Sequence, residues 1–190
     1  MKKVLIATTN KDKYRIVKDI FQATIFPQEE YLINSLKEIN VELEDKKEIG
    51  NNIERARAKA LQAQEELNNY DFDFYVGLDD AIRIKGRLEP NIKEYINKIL
   101  YEEYLSDGEE YAFSRAYCIV DREGNIKETV AEIPYIYQEN KNIIIEEYSY
   151  PLSEVAFPIG YDVPLTSLTP KEELNYYLKY VKEPLEQLKI

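Results

Sequence analysis

Residues 2–21, KKVLIATTNKDKYRIVKDIF, decide how the rest of the chain is read. Val4, Leu5, Ile6 and Ala7 form a short apolar run of the kind that makes a buried strand. A polar turn, Thr8 to Lys13, interrupts it. Tyr14, Val17, Ile20 and Phe21 then recur at spacings of three and four, the signature of one helix face. Asn10 or Asp12 is placed to cap that helix. The stretch therefore predicts a strand, a turn and a helix whose first N–H groups point out of the sheet. Free N–H groups and the positive end of the helix dipole attract anions. Two hydroxyls, an amide and two lysines stand in the same turn, which suits a polyphosphate. The plain alternative is a βα unit with a solvated turn. Neither a P-loop nor a dinucleotide fingerprint is present.

Composition narrows the chemistry. With 190 residues, 44% of them hydrophobic, the chain is long enough for a sizeable core, read as one α/β domain over residues 1–190. No apolar run approaches a membrane span, and the run after Lys2 and Lys3 is too short for a signal peptide. A single cysteine, Cys118, excludes an internal disulfide framework. These features lead to the expectation of a cytoplasmic protein with no membrane partner. The net charge of −11 argues against a nucleic-acid surface. A small anionic ligand then needs local lysines and a divalent cation. The chain has no histidine, so Ser-His-Asp and Cys-His catalysis are excluded, as is any histidine metal site. Carboxylates, lysines, tyrosines or an oxygen-liganded metal must carry any chemistry.

Further along, Tyr31 to Ile33 suggests a short strand, and residues 51–67 read as a helix capped by Asn51 or Asn52. Glu54, Arg55, Lys59 and Gln62 are polar on that helix. Phe72 to Leu78 reads as a strand ending at Asp79-Asp80, with a second short strand over Ala81–Ile84 and a turn at Lys85-Gly86. Residues 91–105 look helical. Tyr111 to Asp121 and Lys127 to Tyr137 form a hairpin around Arg122–Asn125, and Ile143 to Tyr148 suggests one more strand. Thr169-Pro170 opens a last helix, with an interruption expected near Pro184. Helices and strands alternate first and strands follow one another later, which predicts an α/β fold with a mixed central sheet flanked by helices.

Three groups carry candidate chemistry: the Thr8–Lys13 turn, Glu54 with Lys59, and the adjacent pair Asp79 and Asp80. Ligands in open α/β sheets sit beyond the carboxyl ends of strands. Paired carboxylates there suit Mg²⁺, which keeps waters and bridges to substrate phosphates.

The opening ATTNKDKYRIVKDIF resembles that of the inosine triphosphate pyrophosphatase family, a strand followed by T-x-N-K-x-K and a helix. EIGNNIERARAKA is similar to that family's E-x-G-x-T-F-x-E-N-A-x-x-K-A, with Glu54, Ala56, Lys59 and Ala60 matching and Arg55 replacing asparagine. YVGLDDAIRIKG resembles its strand and A-D-D-S-G-L, IGYDVP its F-G-Y-D-P, and TPKEE its S-P-E-E-K-N. The motifs follow the family's order across nearly the whole chain. The resemblance implies two lobes with a cleft between them, a homodimer, and Mg²⁺-dependent hydrolysis of a nucleoside triphosphate, an unusual purine one, to monophosphate and pyrophosphate. It implies that Thr8, Asn10, Lys11 and Lys13 hold phosphates and that Lys59 balances charge. Glu54 and one of Asp79 and Asp80, with Asp80 taken as the ligand, hold Mg²⁺, while the other aspartate orients or deprotonates water. Tyr161 and Asp162 fall on the substrate side.

The base-binding half departs from the pattern. The family's Ser-His-Arg triplet on the last helix is replaced within Asn175–Lys179, its preceding lysine by Glu173 or Leu174, and its stacking aromatic by Ile159. Tyr161, Tyr176 and Tyr177 are the candidates for a substitute stacking surface. Altered base specificity is the first expectation. A nucleotide-binding or regulatory protein without catalysis is the alternative.

Overall fold

The computed structural model describes residues 1–140 and 152–189. The expected strand over 143–148 lies outside the described residues. The order is β1 (Lys2–Ile6), α1 (Lys11–Gln22), β2 (Tyr31–Ser35), α2 (Asn52–Glu66), β3 (Phe74–Ile84), β4 (Arg87–Glu89), α3 (Ile92–Tyr101), β5 (Glu110–Asp121), β6 (Ile126–Tyr137), β7 (Ala156–Pro158) and α4 (Pro170–Glu186), with a 3-10 turn at Leu165–Ser167. The strands form one seven-stranded mixed sheet, ordered β2-β1-β3-β5-β6-β7, with β4 paired to β3. β1 is parallel to both β2 and β3, whereas β3, β5, β6 and β7 are antiparallel neighbours. The α/β fold with a mixed central sheet, read from the alternation of elements, is the one observed.

Local chemistry sets the helix starts. Asn10 caps α1, its side chain accepting from Lys13 N at 2.9 Å. Asn51 caps α2 and Thr169 caps α4, each in a capping box with the glutamate three residues on. Pro184 does not interrupt α4, which continues to Glu186. It stands within a turn of the helix end, where its missing N–H removes one bond and its fixed φ is tolerated.

A larger difference concerns β3. The two short strands expected on either side of Asp79-Asp80 are one strand of 11 residues, buried almost throughout. Successive side chains in a strand face opposite sides. Val76, Leu78, Asp80 and Ile82 therefore face the main core under α1 and α4, while Tyr75, Gly77 and Asp79 face α2. β5 divides in the same way, with Tyr111, Phe113, Arg115 and Tyr117 on the main-core side and Ala116 and Cys118 toward α2. Asp80 and Arg115 are register partners on neighbouring strands. A charged pair inside an apolar strand reads as a strand end in sequence; here the strand continues because each acid has a cation beside it.

The α2 layer sits close to the sheet. Ala56, Ala60 and Ala63 are fully buried on its inner face. A Cβ on Gly77 would overlap the Ala56 carbonyl oxygen and lie 2.6 Å from Ala60 N. The many tyrosines go inside: Tyr117, Tyr135 and Tyr176 are fully buried, and the Tyr135 and Tyr176 rings meet at 5.8 Å.

Two outcomes follow from this packing. Gly77→Ala will push α2 off the sheet and lower unfolding stability by about 1–3 kcal/mol or more, read by urea denaturation. Burial alone would raise the Asp80 carboxyl, but Arg115 and Lys13 outweigh it and hold the group below the ordinary carboxylate range. Its contribution to stability is therefore complete above the unfolded value near 3.8 and is lost as pH falls below about 4. Asp79 shifts upward and offsets part of that loss. Asp80→Asn will flatten the acid dependence and, by leaving Arg115 buried without its partner, cost about 3–5 kcal/mol at neutral pH.

Candidate functional site

The turn after β1 is shaped by its own polar groups. Ala7 N donates to Val76 O at 2.8 Å, so the chain leaves the sheet beside the middle of β3. Asn10 N donates to Thr8 Oγ1 at 3.2 Å, and Asn10 Oδ1 accepts from Lys13 N. The acceptor atoms of Thr8 and Asn10 are thus used inside the turn, which leaves the hydroxyl proton and the amide NH₂ as outward donors. Asn10, and not Asp12, is the cap.

Because β3 runs past the end of β1, Asp79 and Asp80 lie beside this turn but on opposite faces of the sheet. On the α1 face, Asp80 Oδ1 accepts from Arg115 Nε at 2.7 Å, and Asp80 Oδ2 meets Lys13 Nζ at 2.8 Å and Arg115 Nη2 at 3.3 Å. Asp80 and Arg115 are 6% and 7% exposed, so this three-group network is internal. On the α2 face, Lys59 Nζ bridges Asp79 Oδ1 and Glu48 Oε1, each at 2.6 Å. Asp79 Oδ2 is buried with no hydrogen-bond partner. Burial dominates at Asp79 and raises its carboxyl above the ordinary value despite Lys59. The Lys59 hydrogen bond lowers Glu48, and the two carboxylates keep Lys59 above the usual lysine value against the effect of burial.

Several sequence expectations change here. Asp80 was expected to hold Mg²⁺, but both of its oxygens are engaged by cations. Glu54 was expected beside it as the second ligand. Its carboxylate instead turns back to Asn51 N at 2.8 Å, closing the capping box on an exposed helix start. Glu48, from the E-x-G motif, takes the place next to Asp79. Lys59 Nζ stands between those two carboxylates. Lys11 is exposed at the first position of α1.

A cavity of about 370 Å³ opens between α1, β5 and the start of α4. Lys13 and Arg115 bring cationic groups to it, and Ile16, Phe113, Leu165 and Tyr177 supply apolar surface. Arg15 and Glu173 pair beside it at 2.9 Å. Of the expected substitute aromatics, only Tyr177 lines this space. Tyr176 is core, its hydroxyl donating to Pro134 O and accepting from Ile159 N. Tyr161 packs edge-to-face on Tyr176 with centroids 6.1 Å apart, and Asp162 is exposed; neither lines the cavity. Arg115 was missed in the sequence, although a lone charge in the run YAFSRAYCIV marks it as needing a buried partner.

No protein-family model and no curated protein matches the chain. Solved structures do. A nucleoside-triphosphatase / dITP/XTP pyrophosphatase from Mycobacterium abscessus superposes with a TM-score of 0.59 at 17% identity, over 98% of this chain and 97% of that one. The Coxiella burnetii HAM1 protein gives 0.62 at 14% identity, over 99% and 96%. The Staphylococcus aureus Ham1 protein gives 0.58 at 15% identity, over 90% and 89%. The chain has the fold of the Ham1 and dITP/XTP pyrophosphatase proteins, at an identity that speaks for the fold alone.

Proposed function

We propose that the protein hydrolyses nucleoside triphosphates to monophosphate and pyrophosphate in an Mg²⁺-dependent reaction. The observation that carries this reading is that the donor-rich Thr8–Lys13 turn lies beside the two aspartates of β3, with a cavity next to Lys13 on the Asp80 face and the buried, unpaired Oδ2 of Asp79 on the other. The neighbours' activity supports it as analogy.

Thr8, Asn10, Lys11 and Lys13 receive the phosphates, and the nucleoside lies in the cavity between α1 and α4. Magnesium requires few protein ligands when phosphates and waters complete its shell. Glu48 and Asp79 fit that demand: they are two carboxylates on one lysine, and one carries a buried oxygen without a partner. They would hold the ion, in place of Glu54 and Asp80. Bound there, Mg²⁺ would offset phosphate charge and polarise phosphorus. Asp79 Oδ2, buried and without a hydrogen-bond partner, would accept the proton of the attacking water. Asp80 stays ionised and holds Lys13 at the turn. Lys59 keeps the two metal-side carboxylates together. A homodimer and a cytoplasmic setting belong to the same proposal.

A second reading, nucleotide binding without turnover, is favoured by one observation. Both oxygens of Asp80 are already engaged by cations, which leaves the strand with one aspartate free to act on a substrate.

One panel separates the two. Standard and modified nucleoside triphosphates, with inosine and xanthosine forms first, are incubated with Mg²⁺ and assayed for pyrophosphate. Release from at least one is expected, and calorimetric binding with no release from any would leave only the second reading. Asp79→Asn will lower kcat by about 10²–10⁴-fold with folding intact by circular dichroism. Glu54→Gln, which keeps the capping box, will leave turnover unchanged; a comparable loss there would restore Glu54 as a ligand.

A further inference from the structure

We propose that Lys37, on the turn after β2, forms an anion clamp with Lys11 and takes the terminal phosphates of the ligand, those that leave as pyrophosphate. The proposal rests on the phosphate-binding role given above to the Thr8–Lys13 turn.

Parallel pairing sets the geometry. Ile6 and Ser35 are register partners at the ends of β1 and β2, so both strands stop side by side. Each is followed by a turn that carries a lysine, Lys11 after β1 and Lys37 after β2. The second turn is firmly built. Ser35 N donates to Glu38 Oε2 at 2.9 Å, Glu38 N donates to Ser35 Oγ at 3.2 Å, and Val41 N donates to Leu36 O at 3.0 Å. Tyr14 on α1 locks it to the first turn, its hydroxyl bonding Ile33 O at 3.0 Å and Glu38 Oε2 at 2.5 Å. The nearest acid in sequence, Glu38, is therefore committed to Tyr14 and to the Ser35 backbone.

Among the described residues Lys37 has no carboxylate within salt-bridge distance; its charged neighbour is Lys11. The Lys11 charge is the main cause that lowers the Lys37 ammonium below its ordinary value. Two like charges on braced turns repel, and an anion between them reverses the sign of that interaction. Lys13, by contrast, turns the other way, to Asp80 at the edge of the nucleoside cavity. The two lysines of one turn thus divide the ligand. A triphosphate with its nucleoside beside Lys13 and Arg115 crosses the turn and ends between Lys11 and Lys37. None of the motifs that carry the family resemblance includes position 37.

The test is calorimetric titration of the full chain with inorganic pyrophosphate. Lys37→Gln will weaken binding about tenfold, with an unchanged unfolding midpoint because Lys37 is exposed. Lys182→Gln, the same charge change at an exposed site on α4, will leave affinity as in the parent chain. Equal affinities for Lys37→Gln and the parent chain would overturn the clamp. So would a matching loss in Lys182→Gln, or no binding of pyrophosphate at all. Lys37-dependent binding in a chain that releases pyrophosphate from no nucleotide would keep the clamp and remove the pyrophosphatase reading.

Discussion

Strand β3 is covered on both faces and still carries two adjacent acids through its middle. Leaving a buried carboxylate without a partner costs several kcal/mol, so the elements packed on β3 must each deliver a cation. On one face α1 supplies Lys13 and β5 supplies Arg115; on the other α2 supplies Lys59. The helices are therefore tied to the sheet by charge at the level where β1 ends. The same arrangement puts a helix N-terminus, a donor-rich turn and a cavity around one point. The constraint that stabilises the centre of the sheet also assembles the site.

The two aspartates are not equivalent. Asp80 is enclosed by two cations and held ionised, which suits it to positioning Lys13 and unsuits it to accepting a proton. Asp79 shares a single lysine with Glu48, keeps one buried oxygen unpaired, and is shifted upward by burial. A residue that differs only in which face of the strand it occupies acquires the opposite electrostatic character. The site divides accordingly, with the cavity on the Asp80 side and a lysine-bridged carboxylate pair on the Asp79 side.

The region that departs from the family motifs is packed around its own tyrosines. Tyr176 fills the core under α4, and Tyr177 reaches the cavity wall. Glu173 is taken up by Arg15 on α1. The cavity therefore mixes apolar walls with the cations Lys13, Arg15 and Arg115 and the acids Asp12, Asp19 and Glu173.

What the sequence determined by itself was local. The helix faces at spacings of three and four, the cap at Thr169, the caps narrowed to Asn10 or Asp12 and to Asn51 or Asn52, and the hairpin at Arg122–Asn125 all depend on interactions within a few residues, and all were legible to that extent. So was the donor-rich character of the Thr8–Lys13 turn. The continuity of β3 through Asp79 and Asp80 was decided by tertiary structure, because only cations brought from Lys13, Lys59 and Arg115 make buried acids tolerable there. Tertiary structure also set Glu48 beside Asp79 and left Glu54 to its own helix cap, since a carboxylate goes to whichever donor the fold brings within reach, and that donor is often far away in sequence.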